Sequence, residues 1–308
     1  MGRTILGLLV VVSMGGSTAW AAPSDADVAR EKAQKLAKAG RTQEAAEALR
    51  GAAAEAGDEG PALRFEAALL LQRSGQFQDA QALHREVSSE STAGFDLRVR
   101  ARYAAESLYW VLELAALSGP AVERLGELRA QADEAMRRVD ETVADGKALA
   151  KRLKDTTGQV ATTRKTLLPL VGASDPMIAQ LDGLLKACAE KEQAIGVMKK
   201  AVSDAKRAVS AARKALGKVG KAVEGLVASA EAQAAHAKRG GGKLKELKKL
   251  HDGVTTRGAK AAQASGGAML RIARGLRRGD ARLDEADRAA EEVEQVIGEA
   301  EIVLQGTQ

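Results

Sequence analysis

Two long runs of heptad-spaced apolar residues, on either side of Gly240-Gly241-Gly242, constrain the fold of this chain most. The first run extends from Pro176 to Lys238 and the second from Lys243 to Leu304. In both, apolar residues recur at alternating spacings of three and four, a pattern typical of helices that pack in a coiled coil. Each run of roughly 60 residues predicts a helix about 90 Å long. We therefore expect a long helical hairpin that turns at the three glycines.

A third run of the same kind fills the interval between Pro120 and Pro169. Proline disrupts the interior of a helix, so these prolines are expected to lie at helix ends. We predict three helices, at about 120–168, 176–238 and 243–304. They are expected to form a long antiparallel three-helix coiled-coil bundle over residues 119–308. Asp175 is expected to cap the second of these helices, with Pro176 at its first position.

The charges along these helices favour the antiparallel arrangement. From Gly146 to Gly279 there are 28 Lys and Arg against 10 Asp and Glu, a net charge of +18. From Asp280 to Gln308 there are 2 against 9, a net charge of −7. A hairpin centred on Gly241 sets basic residues of one helix opposite acidic residues of the next: Lys186, Lys191, Lys199 and Lys200 against Glu294, Glu291, Glu292 and Asp284. Such exposed pairs select the topology more than they stabilise it.

Residues 1–21 have the composition of a secretory signal. Arg3 gives a positive start, Ile5 to Met14 is a short apolar core, and Ala19-Trp20-Ala21 places small residues where a signal peptidase cleaves. We expect cleavage near Ala21 and a soluble protein exported to the periplasm or outer cell envelope of a bacterium. An uncleaved anchor is the alternative, although the apolar core is shorter than the roughly 20 residues that span a bilayer.

Residues 22–118 contain two units with the same pattern, 35 residues apart. The matching positions are Ala33 and Ala68, Leu36 and Leu71, Gly40 and Gly75, Thr42 and Phe77, and Ala45 and Ala80. A small residue on one helix lets the next helix pack closely, and the glycine turns the chain between them. The pattern resembles the tetratricopeptide repeat, a helix–turn–helix unit of about 34 residues.

This resemblance implies a short stack of helical hairpins that binds a peptide or a docking surface of another protein. A helix from Asp96 to Leu117 is expected to cap the stack, which ends at Ser118-Gly119-Pro120. The aromatic residues usual in the first helix are absent, and Thr92 replaces the usual closing proline. A generic helical-hairpin repeat is therefore the alternative.

The residue types that perform catalysis or bind metals form no recognisable motif in this sequence. Gly240-Gly241-Gly242-Lys243 lacks the spaced glycine and the Ser or Thr of a phosphate-binding loop. His84, His236 and His251 are isolated, and Cys188, the one cysteine, occupies an apolar heptad position where we expect a small buried residue. We predict that the protein is not an enzyme and has no catalytic, cofactor-binding or metal residue and no cofactor. The sequence assigns no partner-binding residue.

The composition predicts an all-α protein with thin helical seams, because aromatic residues make up 2% of the chain and no run has the alternation of a strand. We expect an exported, non-enzymatic scaffold or adaptor. Its repeats would bind a protein partner, and its coiled coil would act as a spacer or self-association element. The alternative is a protein whose basic stretches, Lys199 to Lys221 and Lys238 to Lys249, bind anionic lipid or polymer. We expect no nucleic-acid partner, since aromatics that would stack on bases are missing there.

Overall fold

The computed structural model describes residues 24–240 and 243–307, apart from the side chain of Ala262. Within these ranges the chain forms helices and the loops that join them, and no strand, so the all-α prediction is confirmed. The expected signal at residues 1–21 lies outside the described residues, as do Gly241 and Gly242 of the predicted turn.

The described helices fall into four short and three long ones. They are α1 (Asp25–Lys38), α2 (Thr42–Ala53), α3 (Gly60–Ser74), α4 (Phe77–Ser89), α5 (Phe95–Val171), α6 (Pro176–Lys238) and α7 (Leu244–Gln305), with a 3-10 turn at Gly57–Glu59 before α3. Two compact units are formed. The N-terminal unit consists of residues 24–109 and 236–251, and the long-helix unit of residues 110–235 and 252–307.

In the N-terminal unit, successive short helices pack on one another: α1 on α2, α2 on α3, and α3 on α4. The two turns predicted to be equivalent have the same geometry. Gly40 and Gly75 adopt left-handed backbones, with φ of 77° and 89°, which glycine tolerates best. The residue after each glycine donates its backbone N–H to a leucine carbonyl five positions earlier, Arg41 to Leu36 at 2.9 Å and Gln76 to Leu71 at 3.0 Å. This pattern satisfies helix-end carbonyls in both units.

Helix α5 differs from the sequence prediction. It is a single helix from Phe95 to Val171, and it continues through Ser118-Gly119-Pro120, where a break was expected. Pro120 has no N–H for the carbonyl of Ala116, but both residues are exposed, so water can bind that carbonyl. Gly119 has no Cβ to clash with the proline ring. A proline that is costly inside a buried helix is therefore tolerated here.

The start of α6 agrees with the sequence prediction. Pro176 is its first residue, and the Asp175 carboxylate accepts a hydrogen bond of 2.8 Å from the backbone N–H of Met177. That contact satisfies one of the N–H groups that the first turn leaves without a helical partner. Neighbouring residues thus stabilise the start of α6 after the turn from α5.

Ion pairs give the directions of the helices in the long-helix unit. They are Arg138–Asp284 and Arg152–Glu301 between α5 and α7, and Asp133–Arg213 and Arg164–Asp182 between α5 and α6. Residue numbers rise together in the first two pairs and oppositely in the last two. Helices α5 and α7 are therefore parallel, and α6 is antiparallel to both.

The core of the long-helix unit is a thin seam to which all three helices contribute. One cluster contains Val139 and Leu153 of α5, Met198 and Val209 of α6, and Leu283 of α7, all at most 2% exposed. Cys188 lies in the same cluster with 1% of its surface exposed, which confirms the expected burial. Alanine and glycine bring the helices together, as at Gly275, where an added Cβ would lie 3.9 Å from the Cβ of Ala212.

The acidic end of α7 finds partners on both neighbouring helices. Of the four α6 lysines expected to face acidic residues of α7, Lys191 lies 3.9 Å from Glu292, the neighbour of the expected Glu291. On α5, Arg138 lies 3.6, 3.3 and 3.7 Å from carboxylates of α7, those of Asp280, Asp284 and Asp287. This contribution of α5 was not anticipated from the sequence.

Candidate functional site

A groove lies between α1 and α3 in the N-terminal unit. Its volume is about 250 Å³. It is lined by Arg30, Ala33, Gln34 and Ala37 of α1, Leu49 of α2, and Glu66, Leu69, Leu70 and Arg73 of α3. The floor is apolar because α1 and α3 face each other with small and aliphatic residues. The rim carries charge of both signs.

Charge pairs hold one end of this groove in place. The Arg30 guanidinium lies 3.1 Å from the Glu66 carboxylate and 2.9 Å from the Glu59 carboxylate. Burial alone would lower the pKa of Arg30, but the two carboxylates outweigh it, and its pKa is raised. At the other end, Arg73 is exposed. The groove can therefore bind a short apolar segment flanked by polar or charged groups.

A buried polar chain connects α4, α3 and the end of α6 within the N-terminal unit. His84 has no exposed surface, and its Nε2 lies 3.4 Å from Oε1 of Gln72. The other end of the Gln72 amide donates a hydrogen bond of 2.7 Å to the carbonyl of Ala237. Because Gln72 donates through its nitrogen, its oxygen accepts, and His84 carries its proton on Nε2.

His84 is neutral because of its surroundings. Nδ1 is buried without a hydrogen-bond partner, and the ring meets Phe65 edge-on at 5.0 Å between centroids. Desolvation lowers the pKa of His84 from 6.5 to about 4. With no carboxylate or second base bonded to it, this histidine serves packing and hydrogen bonding.

Gly240 lies beside this polar chain. Glycine is needed there because a side chain would have no room, and not because of an unusual backbone conformation. A Cβ built on it would lie 2.4 Å from Nε2 of Gln72 and 2.8 Å from the carbonyl oxygen of Ala237. Any side chain at this position would displace that hydrogen bond. Nearby, the hydroxyl of Ser107 donates to the carbonyl of Leu247 at 3.4 Å. These contacts explain why residues 236–251 belong to the N-terminal unit, whereas the sequence assigned them to residues 119–308.

The remaining histidines do not come together with His84. His251 lies 3.2 Å from the Glu106 carboxylate and edge-on to Tyr103 at 6.3 Å, whereas His236 is exposed. Within the part of the chain that the structure describes, no three His, Cys, Asp or Glu side chains form a group that could hold a metal ion. Sequence reasoning gave no sign of the Gln72 link, because one polar residue near a helix end has no distinctive spacing.

The basic stretches predicted as an alternative binding surface are exposed in part. Lys199, Lys200, Lys214, Lys218 and Lys221 of α6 all have exposed side chains. They fall within an arc of about 100° on one side of the helix, since successive positions rotate by about 100°. The stretch therefore presents a basic face along α6.

Comparisons with protein-family models, with curated proteins and with solved structures find no match for this chain. Among the described helices, none is both long enough and apolar enough to cross a membrane.

Proposed function

We propose that this protein is an exported, non-enzymatic adaptor of the bacterial cell envelope that binds a protein partner through its N-terminal unit. The observation that carries the proposal is the groove between α1 and α3, with its apolar floor and charged rim. Docking surfaces for peptides combine apolar pockets with a few polar groups that fix orientation. The groove has this composition.

The resemblance to tetratricopeptide repeats supports this assignment. The left-handed glycines at Gly40 and Gly75 and the hydrogen bonds after them repeat at the offset found in the sequence. The small residues of the pattern are buried in both units: Ala33, Ala45, Ala68 and Ala80. Repeats of this kind bind other proteins, so we infer the same role for this unit.

The long helices have a supporting role in this proposal. We infer that α5, α6 and α7 form an antiparallel three-helix coiled coil that acts as a spacer or a self-association element. Its heptad-spaced core and its inter-helix ion pairs are consistent with that assignment. Export is inferred from residues 1–21, and sequencing the N-terminus of secreted protein would test it, with Ala22 as the expected first residue.

Groove variants test the adaptor role directly. Ala37→Trp would fill the groove, and Arg73→Glu would reverse the charge at its open end. The matched control is Lys32→Glu, an exposed change on α1 outside the groove. After crosslinking and purification from envelope extracts, we expect both groove variants to lose the partner that the wild type and the control retain. Recovery of the same partner by all forms would contradict the proposal.

A second candidate function is binding to an anionic envelope surface. It is favoured by exposed lysines of α6 such as Lys199 and Lys200. Such binding is electrostatic and should weaken steeply as salt rises. Sedimentation with anionic vesicles at low and high salt checks it, and binding that is absent or independent of salt would remove it.

A further inference from the structure

A second groove lies between α6 and α7, entirely within the long-helix unit. Its volume is about 560 Å³. From α6 it is lined by Ala208, Ala211, Ala212, Ala215, Lys218, Val219 and Ala222, and from α7 by Ala264, Ser265, Ala268, Arg271, Ile272, Gly275 and Arg278. We call it the α6–α7 groove. It is apolar along its length and basic at its edges.

This groove faces away from α5. On α6, Arg213 pairs with Asp133 of α5 and is nine residues before Ala222 of the groove. On α7, Asp280 pairs with Arg138 of α5 and is nine residues after Arg271 of the groove. Nine residues correspond to about 2.5 helical turns, which places them on opposite sides of a helix. Helices α6 and α7 thus form a layer with α5 on one face and an open groove on the other.

The spacing of the walls matches a helix. On α6 the lining residues that are not buried are Ala208, Ala211, Ala215, Lys218 and Ala222, and on α7 they are Ala264, Ala268, Arg271, Gly275 and Arg278. Both walls alternate steps of three and four, the spacing at which one helix accepts the side chains of another. Each wall spans 15 residues, a length of about 21 Å between its ends, and its small side chains permit close approach.

Charge identifies the kind of helix that fits. Lys218, Arg271 and Arg278 stand exposed at the edges, and no carboxylate in the described ranges pairs with them. Arg138, by contrast, lies within 3.7 Å of three aspartates of α7. Unpaired cations on both edges favour a ligand with anionic side chains on both flanks.

We propose that the α6–α7 groove binds an amphipathic helix of a partner protein that carries acidic residues on both sides of its apolar stripe. This helix occupies the position of a fourth helix on the open side of α6 and α7. Its apolar side chains pack between the alanines, and its carboxylates pair with Lys218, Arg271 and Arg278. The inference is separate from the proposed function, since it concerns residues of the other unit.

The test uses the full chain and a synthetic three-heptad peptide with Leu and Ala at the apolar positions and Glu on both flanks. Fluorescence anisotropy measures the Kd for the wild type and for the triple variant Lys218→Glu, Arg271→Glu, Arg278→Glu. A charge-matched control reverses Lys147, Lys151 and Lys199, which are exposed away from the groove. We expect the groove variant to bind at least about tenfold more weakly and the control to remain near the wild type. A peptide with Lys in place of Glu should not bind.

A second pair of variants tests whether the peptide lies in the α6–α7 groove, without changing any charge. Ala264→Trp fills the groove, and Ala281→Trp adds the same ring to an exposed position of α7 outside it. Only the first should abolish peptide binding while circular dichroism keeps the helical signal. Equal loss in the charge-matched control, or unchanged binding by Ala264→Trp, would overturn the proposal.

Two further outcomes identify a different occupant and would also overturn it. The wild type could bind anionic vesicles and ignore the peptide, in which case the edges serve a membrane surface. Light scattering could instead detect a dimer that Ala264→Trp dissociates, in which case a second copy fills the groove. The adaptor role of the groove between α1 and α3 would survive each result, because Ala37→Trp tests it independently.

Discussion

Acidification should destabilise this protein through His84. The ring has no exposed surface, and its pKa falls from 6.5 to about 4 because burial disfavours the imidazolium. In the unfolded chain the same side chain regains its ordinary pKa. Between these two values the unfolded state binds the proton and the folded state does not. Stability is therefore complete above about pH 6.5 and is lost as the pH falls toward 4.

The size of the effect follows from the same two pKa values. One proton taken up on unfolding changes the free energy of unfolding by about 1.4 kcal/mol per pH unit. Over the interval between pH 6.5 and about 4, His84 should cost about 3 kcal/mol. This is a large part of the roughly 5–15 kcal/mol that stabilises a typical domain.

The variant His84→Gln isolates this contribution. Glutamine keeps an N–H donor for Oε1 of Gln72 but takes up no proton in this range. Urea unfolding of the wild type and the variant, followed by circular dichroism between pH 7 and pH 4, should give curves that diverge by about 3 kcal/mol on acidification. His236→Gln, an exposed change, is the control for loss of a histidine.

A direct titration can refute the reasoning. The chain has three histidines, so the ring resonance that disappears in His84→Gln identifies His84 in a labelled protein. If that resonance titrates at pH 6.5 or above in the folded state, burial does not control its protonation. Parallel pH profiles for the wild type and His84→Gln would lead to the same conclusion.

Substitutions at three other sites, two of them with a control variant, have expected outcomes. Gly40→Ala should destabilise the N-terminal unit by about 1 kcal/mol, because φ of 77° disfavours a Cβ, and Gly40→Asn should cost less in the same thermal melt. Leu283→Ala, at a position with no exposed surface, should lower stability by about 2–5 kcal/mol, whereas Ala281→Gly should cost about 1 kcal/mol. Arg138→Gln should cost under about 1 kcal/mol at low salt and nothing measurable in 1 M salt, since its pairs with α7 are partly exposed.

Features decided by local chemistry could be predicted from the sequence. Heptad spacing located the long helices, because a sustained apolar stripe is stable only as a helix with a partner. The cap at Asp175 and the position of Pro176 depend on neighbouring residues alone, and both are found as expected. The turn glycines Gly40 and Gly75 could be located because the same pattern recurs 35 residues apart. Both adopt left-handed backbones, which favour glycine because it has no Cβ.

Features decided by distant residues could not be predicted in this way. Gln72 and Ala237 are 165 positions apart, and one amide–carbonyl bond leaves no periodic trace. Pro120 was expected to end a helix because its conformational cost is visible in the sequence. The exposure that makes this cost tolerable appears only once α5 is packed.

The balance of charge illustrates the same limit for the candidate sites. Along the chain, the net charge of +18 from Gly146 to Gly279 is partly offset by the net charge of −7 from Asp280 to Gln308. In the structure those acids face Arg138 and Arg152 of α5, and Lys191 of α6. Lys218, Arg271 and Arg278 line the α6–α7 groove, and none of these carboxylates pairs with them. A sum over sequence therefore hides an unpaired basic edge, because opposite charges compensate only where their side chains meet.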